Sequence, residues 1–317
     1  MPTATATPRV VFERDRPNEL GLIPILAYHL IGEPEDRWQR TPANLRQDLE
    51  RLYAAKYRLV SITDILDNRI DIPAGYSPLV LTFDDSSPGQ FRFIERDGKR
   101  VVDPNSAVGV LDAFHREYPD FGRAATFFVL PAADPPHNLF GQDEYQREKL
   151  KYLIDNGMDI GNHSYWHQEL GSVSEAEVRQ QLGLAVKSIQ DAAPGYQVEV
   201  LALPLGVWPK NRDLVKRGEW EGTTYTNRGV LLVGAEPAPP PGHVDFDPFA
   251  ISRIQAIDEQ LDFWLEGLEN GSFPRYVSDG DPDRLVFPDD AEKEYRPSTE
   301  HRALPAPAPG YQAVQLR

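Results

Sequence analysis

From about Leu20 to residue 270, short apolar runs alternate with amphipathic stretches, and that rhythm restricts the chain more than any other feature. IPILAYHLI (Ile23–Ile31), PLVLTFDDSS (Pro78–Ser87), ATFFVL within Gly122–Leu130, Gly157–Asn162 and VEVLALPLG from Val198 read as strands. Tyr57–Ile62 reads as a further short strand, with TTYT near Thr223 and AISRIQA near Ile251 as the last two. Between them, Thr41–Tyr57 repeats Leu45, Leu49 and Leu52 at helical spacing, with Thr41 as cap and Pro42 in the first turn. Ile62–Leu66, Gln142–Asn156, Ser174–Ala193 and Asp258–Leu268 complete the predicted helices. Strands alternating with helices form a parallel sheet with helices outside, closed as a barrel or open and doubly wound. Either way, function collects at the carboxyl ends of the strands. His29, Asp84-Asp85, His163 and the Pro204–Gly206 turn all fall there.

Three segments break the rhythm. Residues 1–20 read as an N-terminal linker or tail. Within 90–105, RFIERDGKRVV carries two β-like runs around Asp97-Gly98, an inserted hairpin. From Gly271 to residue 317 the chain is acidic and Pro-rich, and is expected to pack in extended form or stay disordered rather than build a second domain. The α/β domain is therefore assigned to 21–270.

Composition then limits the chemistry. There is no cysteine, which removes disulfides, thiolate metal sites and cysteine nucleophiles together. Any metal must sit on His, Asp or Glu. A net charge of −16 argues against nucleic acid as a partner. No apolar run approaches the roughly 20 residues of a membrane span. The opening MPTATATPRV has neither a basic start nor an apolar stretch, so no signal peptide is expected. It resembles the linker that follows a removed export signal or lipid anchor, and a ragged cytosolic start reads the same way.

Two motifs carry chemistry. Asp84 and Asp85 close an apolar strand, and adjacent acids there diverge, so one can hold a metal while the other faces substrate. A bare Asp-Asp is more often a solvated turn, but the LTF before it delivers this pair from a buried strand. HSYWH places His163 and His167 four apart, a spacing that on a helical turn lets both imidazoles share one cation. Two imidazoles and one carboxylate make a facial site with positions open to water and substrate.

With these motifs in place, the chain resembles the polysaccharide deacetylases with a NodB-type domain. LTFDDS resembles the family's TFDDG motif, HSYWH its H(S/T)xxH, and LALPLG, more loosely, its RxPYG, over roughly Ile23 to Ile257. The resemblance implies a distorted (β/α) barrel of about seven parallel strands and a metal-dependent hydrolase removing acetyl groups from an N-acetylated polysaccharide or oligosaccharide. It implies one divalent metal on Asp85, His163 and His167: zinc first, with cobalt, nickel or iron(II) also accepted by this ligand set. Asp84 would be the general base and the backbone N–H of Leu205 would help hold the oxyanion. Cell-envelope or extracellular work is the matching location, with cytoplasm left open.

The departures are informative. Ser86 replaces a Gly, and Ala202 stands where the third motif has the Arg that orients the base. The late LxH motif is missing from AISRIQA, while ILAYH at the front resembles it, as in a permuted branch that includes biofilm poly-N-acetylglucosamine deacetylases. There His29 would be the general acid, with His243 its rival, and Arg253 would take the missing Arg's place unless it is a structural ion pair. Trp166 and Trp208 are candidates to stack on sugar, Asn162 is read as a support of the turn, and His115, His137 and His301 are expected to be ordinary surface residues. Two alternatives stay open: a carbohydrate-binding protein that lost its chemistry, and a related hydrolase of O-acetyl esters or non-sugar C–N bonds.

Overall fold

The computed structural model describes residues 11–132 and 138–316; His137 and the first ten residues lie outside them. Eight parallel strands form the central sheet: β1 (Ile25–Tyr28), β2 (Tyr57–Leu59), β3 (Ser77–Asp84), β4 (Thr126–Val129), β5 (Asp159–Asn162), β6 (Val200–Ala202), β7 (Gly229–Leu231) and β8 (Ile254–Gln255). Seven run in the order β7-β6-β5-β4-β3-β1-β8, and β2 pairs with the start of β3. The two ends of that path meet at a single parallel bridge, Leu231 to Ile251, reinforced by Leu232 N–H donating to the Ile251 carbonyl at 2.9 Å. The architecture is thus the distorted α/β barrel expected, with a thin seam between β7 and β8.

Strand alternation decides which side chains face inward. In β3, Leu79, Leu81 and Phe83 join the apolar layer that also contains Leu45, Leu49 and Phe114 of the outer helices, whereas Val80 joins the inner cluster with Ile25, Phe128, Val200 and Leu231. Period two then carries Thr82 and Asp84 inward as well. The helices α1 (Pro42–Ala54), α2 (Ala107–Glu117), α3 (Gln146–Asp155), α4 (Glu175–Ala192) and α5 (Asp258–Asn270) each bury one stripe. In α1 that stripe includes Leu45, Leu49 and Leu52, while Thr41 caps the helix by accepting from Asn44 N–H. Each fully buried leucine contributes about 1.5–3 kcal/mol. In α4 the Ser174–Glu177 capping box satisfies the first turn.

Three expectations change. TTYT is not a barrel strand: Thr223–Thr226 pairs antiparallel with Arg217–Trp220, and Gly229–Leu231 enters the sheet instead. Threonine and tyrosine favour any strand, so propensity could not choose between neighbours. Helix α2 carries no sequence expectation, because the hairpin-bearing segment before it hides its start at Ser106. The tail from Gly271 forms an antiparallel sheet of Arg284–Pro288, Tyr311–Gln315 and Arg302–Leu304, whose Leu285, Phe287 and Val314 pack with Leu20. The hairpin Phe93–Arg96/Lys99–Val102 turns at Asp97-Gly98, both at positive φ.

Candidate active site

At the carboxyl ends of β1, β3 and β5 a cavity of about 450 Å³ opens, bringing together His29, Asp84, Asp85, His163 and His167. Leu30, Trp38, Leu205 and Val233 form its apolar walls. Among the described residues, Asp85, His163 and His167 are the one group of three whose candidate ligand atoms all lie close together, within 4.8 Å of one another. His163 Nε2 is 3.4 Å from Asp85 Oδ1, and His167 Nε2 is 3.6 Å from the same oxygen. That oxygen is buried without a hydrogen-bond partner. His163 donates Nδ1–H to the Ala202 carbonyl at 2.9 Å, which leaves Nε2 as the lone-pair nitrogen facing the carboxylates. An orphaned carboxylate oxygen and two imidazoles, that of His163 with its tautomer fixed, fit a divalent cation.

The HxxxH does not form a helical turn. The chain leaves β5 into an irregular loop with Ser164 and His167 at positive φ (67° and 57°), and this bend brings the imidazole centroids to 5.0 Å. Asn162 supports the turn, its side chain accepting from Ser164 N–H and donating to the Leu182 carbonyl. Asp85 (φ 79°), Ser86 (φ 50°) and Leu205 (φ 56°) are also left-handed, so backbone strain concentrates around the cavity.

Asp84 is fully buried, and so is Arg253, which lies 169 positions away in sequence. The guanidinium donates to both carboxylate oxygens at 2.8 Å, to Thr82 Oγ1 at 3.0 Å and, through Nε, to the Leu232 carbonyl at 2.6 Å. It therefore spans from the seam to the acidic pair. Burial pushes Asp84 upward, but Arg253, His163 and His29 outweigh it and hold the carboxyl well below the usual carboxylate range. Burial also raises Asp85, against His163, which prevails and lowers it. Burial would lower His163, yet Asp84 and Asp85 raise it. His29 is lowered by burial despite both carboxylates, and His167 by burial and by His163.

Leu205 is 59% exposed at the mouth. Neither Trp166, 42% exposed, nor Trp208, packed under Arg212, lines the cavity; Trp38 does, edge-on to His29 with centroids 4.7 Å apart. The sequence signal for Trp38 was a lone tryptophan in a polar stretch. His243 sits in another cavity, accepting from Asp245 N–H and 3.9 Å from Glu294. His115 and His301 are half-buried and bonded to Gly122 and Tyr295 rather than free on the surface.

Fold and site together define an α/β barrel with an imidazole–carboxylate centre. Residues 73–219 match the polysaccharide deacetylase family model. The chain is 26% identical over 182 residues to a chitooligosaccharide deacetylase of Sinorhizobium fredii (strain NBRC 101917 / NGR234), covering 57% of this chain and 72% of that one. Its fold resembles the Streptococcus pyogenes deacetylase PplD in complex with acetate (TM-score 0.54, 16% identity, 74% of this chain and 92% of that chain). It also resembles IcaB from Ammonifex degensii (TM-score 0.53, 17% identity, 77% and 97%).

Proposed function

We propose that this protein is a metal-dependent hydrolase that removes acetyl groups from N-acetylated sugars of a polysaccharide. The observation that carries the reading is the joining of the fully buried Asp84–Arg253 pair to the Asp85, His163 and His167 triad in one cavity. In this reading Asp85, His163 and His167 hold a divalent ion, which supplies Lewis acidity when bound. Asp84, kept ionised by Arg253, takes the proton of the attacking water, and Arg253 fixes its orientation through both oxygens. Leu205 contributes its backbone N–H to the developing oxyanion. His29 gives a proton to the departing sugar amine. Apolar walls of Leu30, Trp38, Leu205 and Val233 exclude water from the acetyl group.

His29 just after the first strand and Arg253 just before the last support the permuted arrangement of the family. The catalytically impaired alternative drew its force from Ala202; a guanidinium on Asp84 from the segment before β8 removes that ground. A polymeric acetylated substrate also suits work in the cell envelope, and among the described residues no helix is long and apolar enough to cross a membrane. The test is to strip the purified protein with chelator, reload zinc or cobalt, and measure acetate from N-acetylglucosamine oligomers, chitin, peptidoglycan and xylan fragments. One metal per chain and metal-restored release from the N-acetylated sugars are expected. Release only from O-acetyl esters or non-sugar amides would move the assignment to the related hydrolases, and no release from any would overturn it.

A further inference from the structure

The carbonyls of His29 and Asp84 lie just beyond the last ladder pair of β1 and β3, Tyr28 with Phe83. A buried carbonyl at a strand end needs a donor. Both find the same one: the Gln90 side-chain amide donates to His29 O at 2.6 Å and to Asp84 O. Gln90 is fully buried, and its Oε1 has no hydrogen-bond partner. Two carbonyls facing the amide fix its orientation, because a flipped amide would set oxygen against oxygen.

The clamp is itself anchored. Gln90 N–H donates to the Ser87 carbonyl, while the Gly89 and Gln90 carbonyls accept from Ala107 and Val108 at the start of α2. Gly89 presses on the loop after β1 so closely that a Cβ there would lie 1.8 Å from the Ile31 carbonyl oxygen. The loops following β1 and β3 are thus bolted together and to α2, with one side chain bridging the two backbones that carry His29 and Asp84.

We propose that Gln90 is a positioning residue that sets the separation of His29 and Asp84 by completing the β1–β3 ladder with its side chain. The acid and base roles rest on the function proposed above; the geometric claim does not. Gln90→Met keeps length and volume and removes both donors. In the zinc-loaded full-length protein its kcat should fall about ten- to hundred-fold, with KM and zinc affinity, read by chelator competition, within twofold of wild type. The His29 imidazole 13Cε1 resonance should shift or broaden. Gln90→Glu is a second probe: only its protonated form can donate, so its kcat relative to wild type should rise as pH falls. An unchanged His29 resonance with unchanged kcat would overturn the proposal. So would a joint loss of kcat, zinc affinity and fold in Gln90→Met with a pH-independent deficit in Gln90→Glu. If wild type releases no acetate from any substrate, the functional reading fails, and the His29 resonance alone decides on Gln90.

Discussion

Asp84 and Glu19 are both buried carboxyls, yet their surroundings drive them in opposite directions. Asp84 meets a guanidinium on both oxygens and stays ionised. Glu19 lies where the N-terminal segment meets the C-terminal sheet, accepting from Val286 N–H at 2.6 Å, Asp279 N–H at 3.1 Å and Ser278 Oγ at 3.4 Å. Burial pushes it well above its ordinary value, and the neighbouring Asp279 charge adds to the push, against those hydrogen bonds. Arg284 is spent on Asp279 rather than on Glu19. Depth alone does not decide whether a carboxyl is charged; the cation on its oxygens does. The first arrangement keeps a charge ready for chemistry, while the second joins two pieces of chain with a group that prefers to be neutral.

The comparison breaks most visibly at Asp84. Asp84→Asn should lower acetate release at least 100-fold. It also leaves Arg253 buried without a counter-charge, which costs about 3–5 kcal/mol, so thermal unfolding should show a lower midpoint. A variant that keeps both activity and midpoint would mean that the pair does neither job.

Arg253→Lys sharpens the same point. A single ammonium cannot reproduce two parallel hydrogen bonds plus the bonds to Thr82 and Leu232. Turnover is expected to drop about 10- to 100-fold, with the acid limb of the pH–rate profile moved upward because Asp84 loses part of the charge that lowers it. A profile that keeps its acid limb would show that Arg253 does not control the base.

Glu19 tests the other side. Its folded pKa lies above its ordinary 4.5, so the folded state binds the extra proton and the stability linked to it is lost as pH rises through the raised value. Asp84, whose folded pKa is below its ordinary 3.8, contributes stability above that value and loses it as pH falls. Glu19→Gln, permanently neutral, should therefore lose less thermal stability than wild type between pH 5 and pH 8, by about 2–4 °C in unfolding midpoint. Equal losses would show that Glu19 does not titrate there.

The smallest effect separates the cavity from its surroundings. Trp38→Ala should raise KM several-fold, in keeping with about 0.5–1.5 kcal/mol for an aromatic contact, whereas Trp166→Ala should leave KM within twofold. The reverse order would restore Trp166 as the sugar platform.

The local parts of this site were readable and the long-range parts were not. Asp84-Asp85 and HSYWH are contiguous, and each sits where period-two or turn chemistry delivers it, so a reading of neighbours finds them. Even there, the four-residue spacing of the histidines suggested a helical turn, and the irregular loop with left-handed Ser164 and His167 takes its place. Arg253 is marked only through the Arg missing from the resembled motif, because its partner lies two strands over and 169 positions away in sequence. Trp38 and Gln90 carry no motif: one is an ordinary tryptophan in a polar run, the other an amide whose use depends on two carbonyls brought side by side only by strand pairing. Barrel strand β7 was lost to TTYT because β-propensity is shared by hairpins and barrels alike.

The seam between β7 and β8 gives the molecule an order of events. During synthesis the acidic pair leaves the ribosome more than half a chain before Arg253, and until the last barrel strand docks, Asp84 has no guanidinium to offset its burial. Bridging of Leu231 to Ile251 and delivery of Arg253 to Leu232 and Asp84 bring the same stretch of chain into place. A half-assembled chain would bring Asp85, His163 and His167 near one another and still leave Asp84 without the guanidinium that orients it.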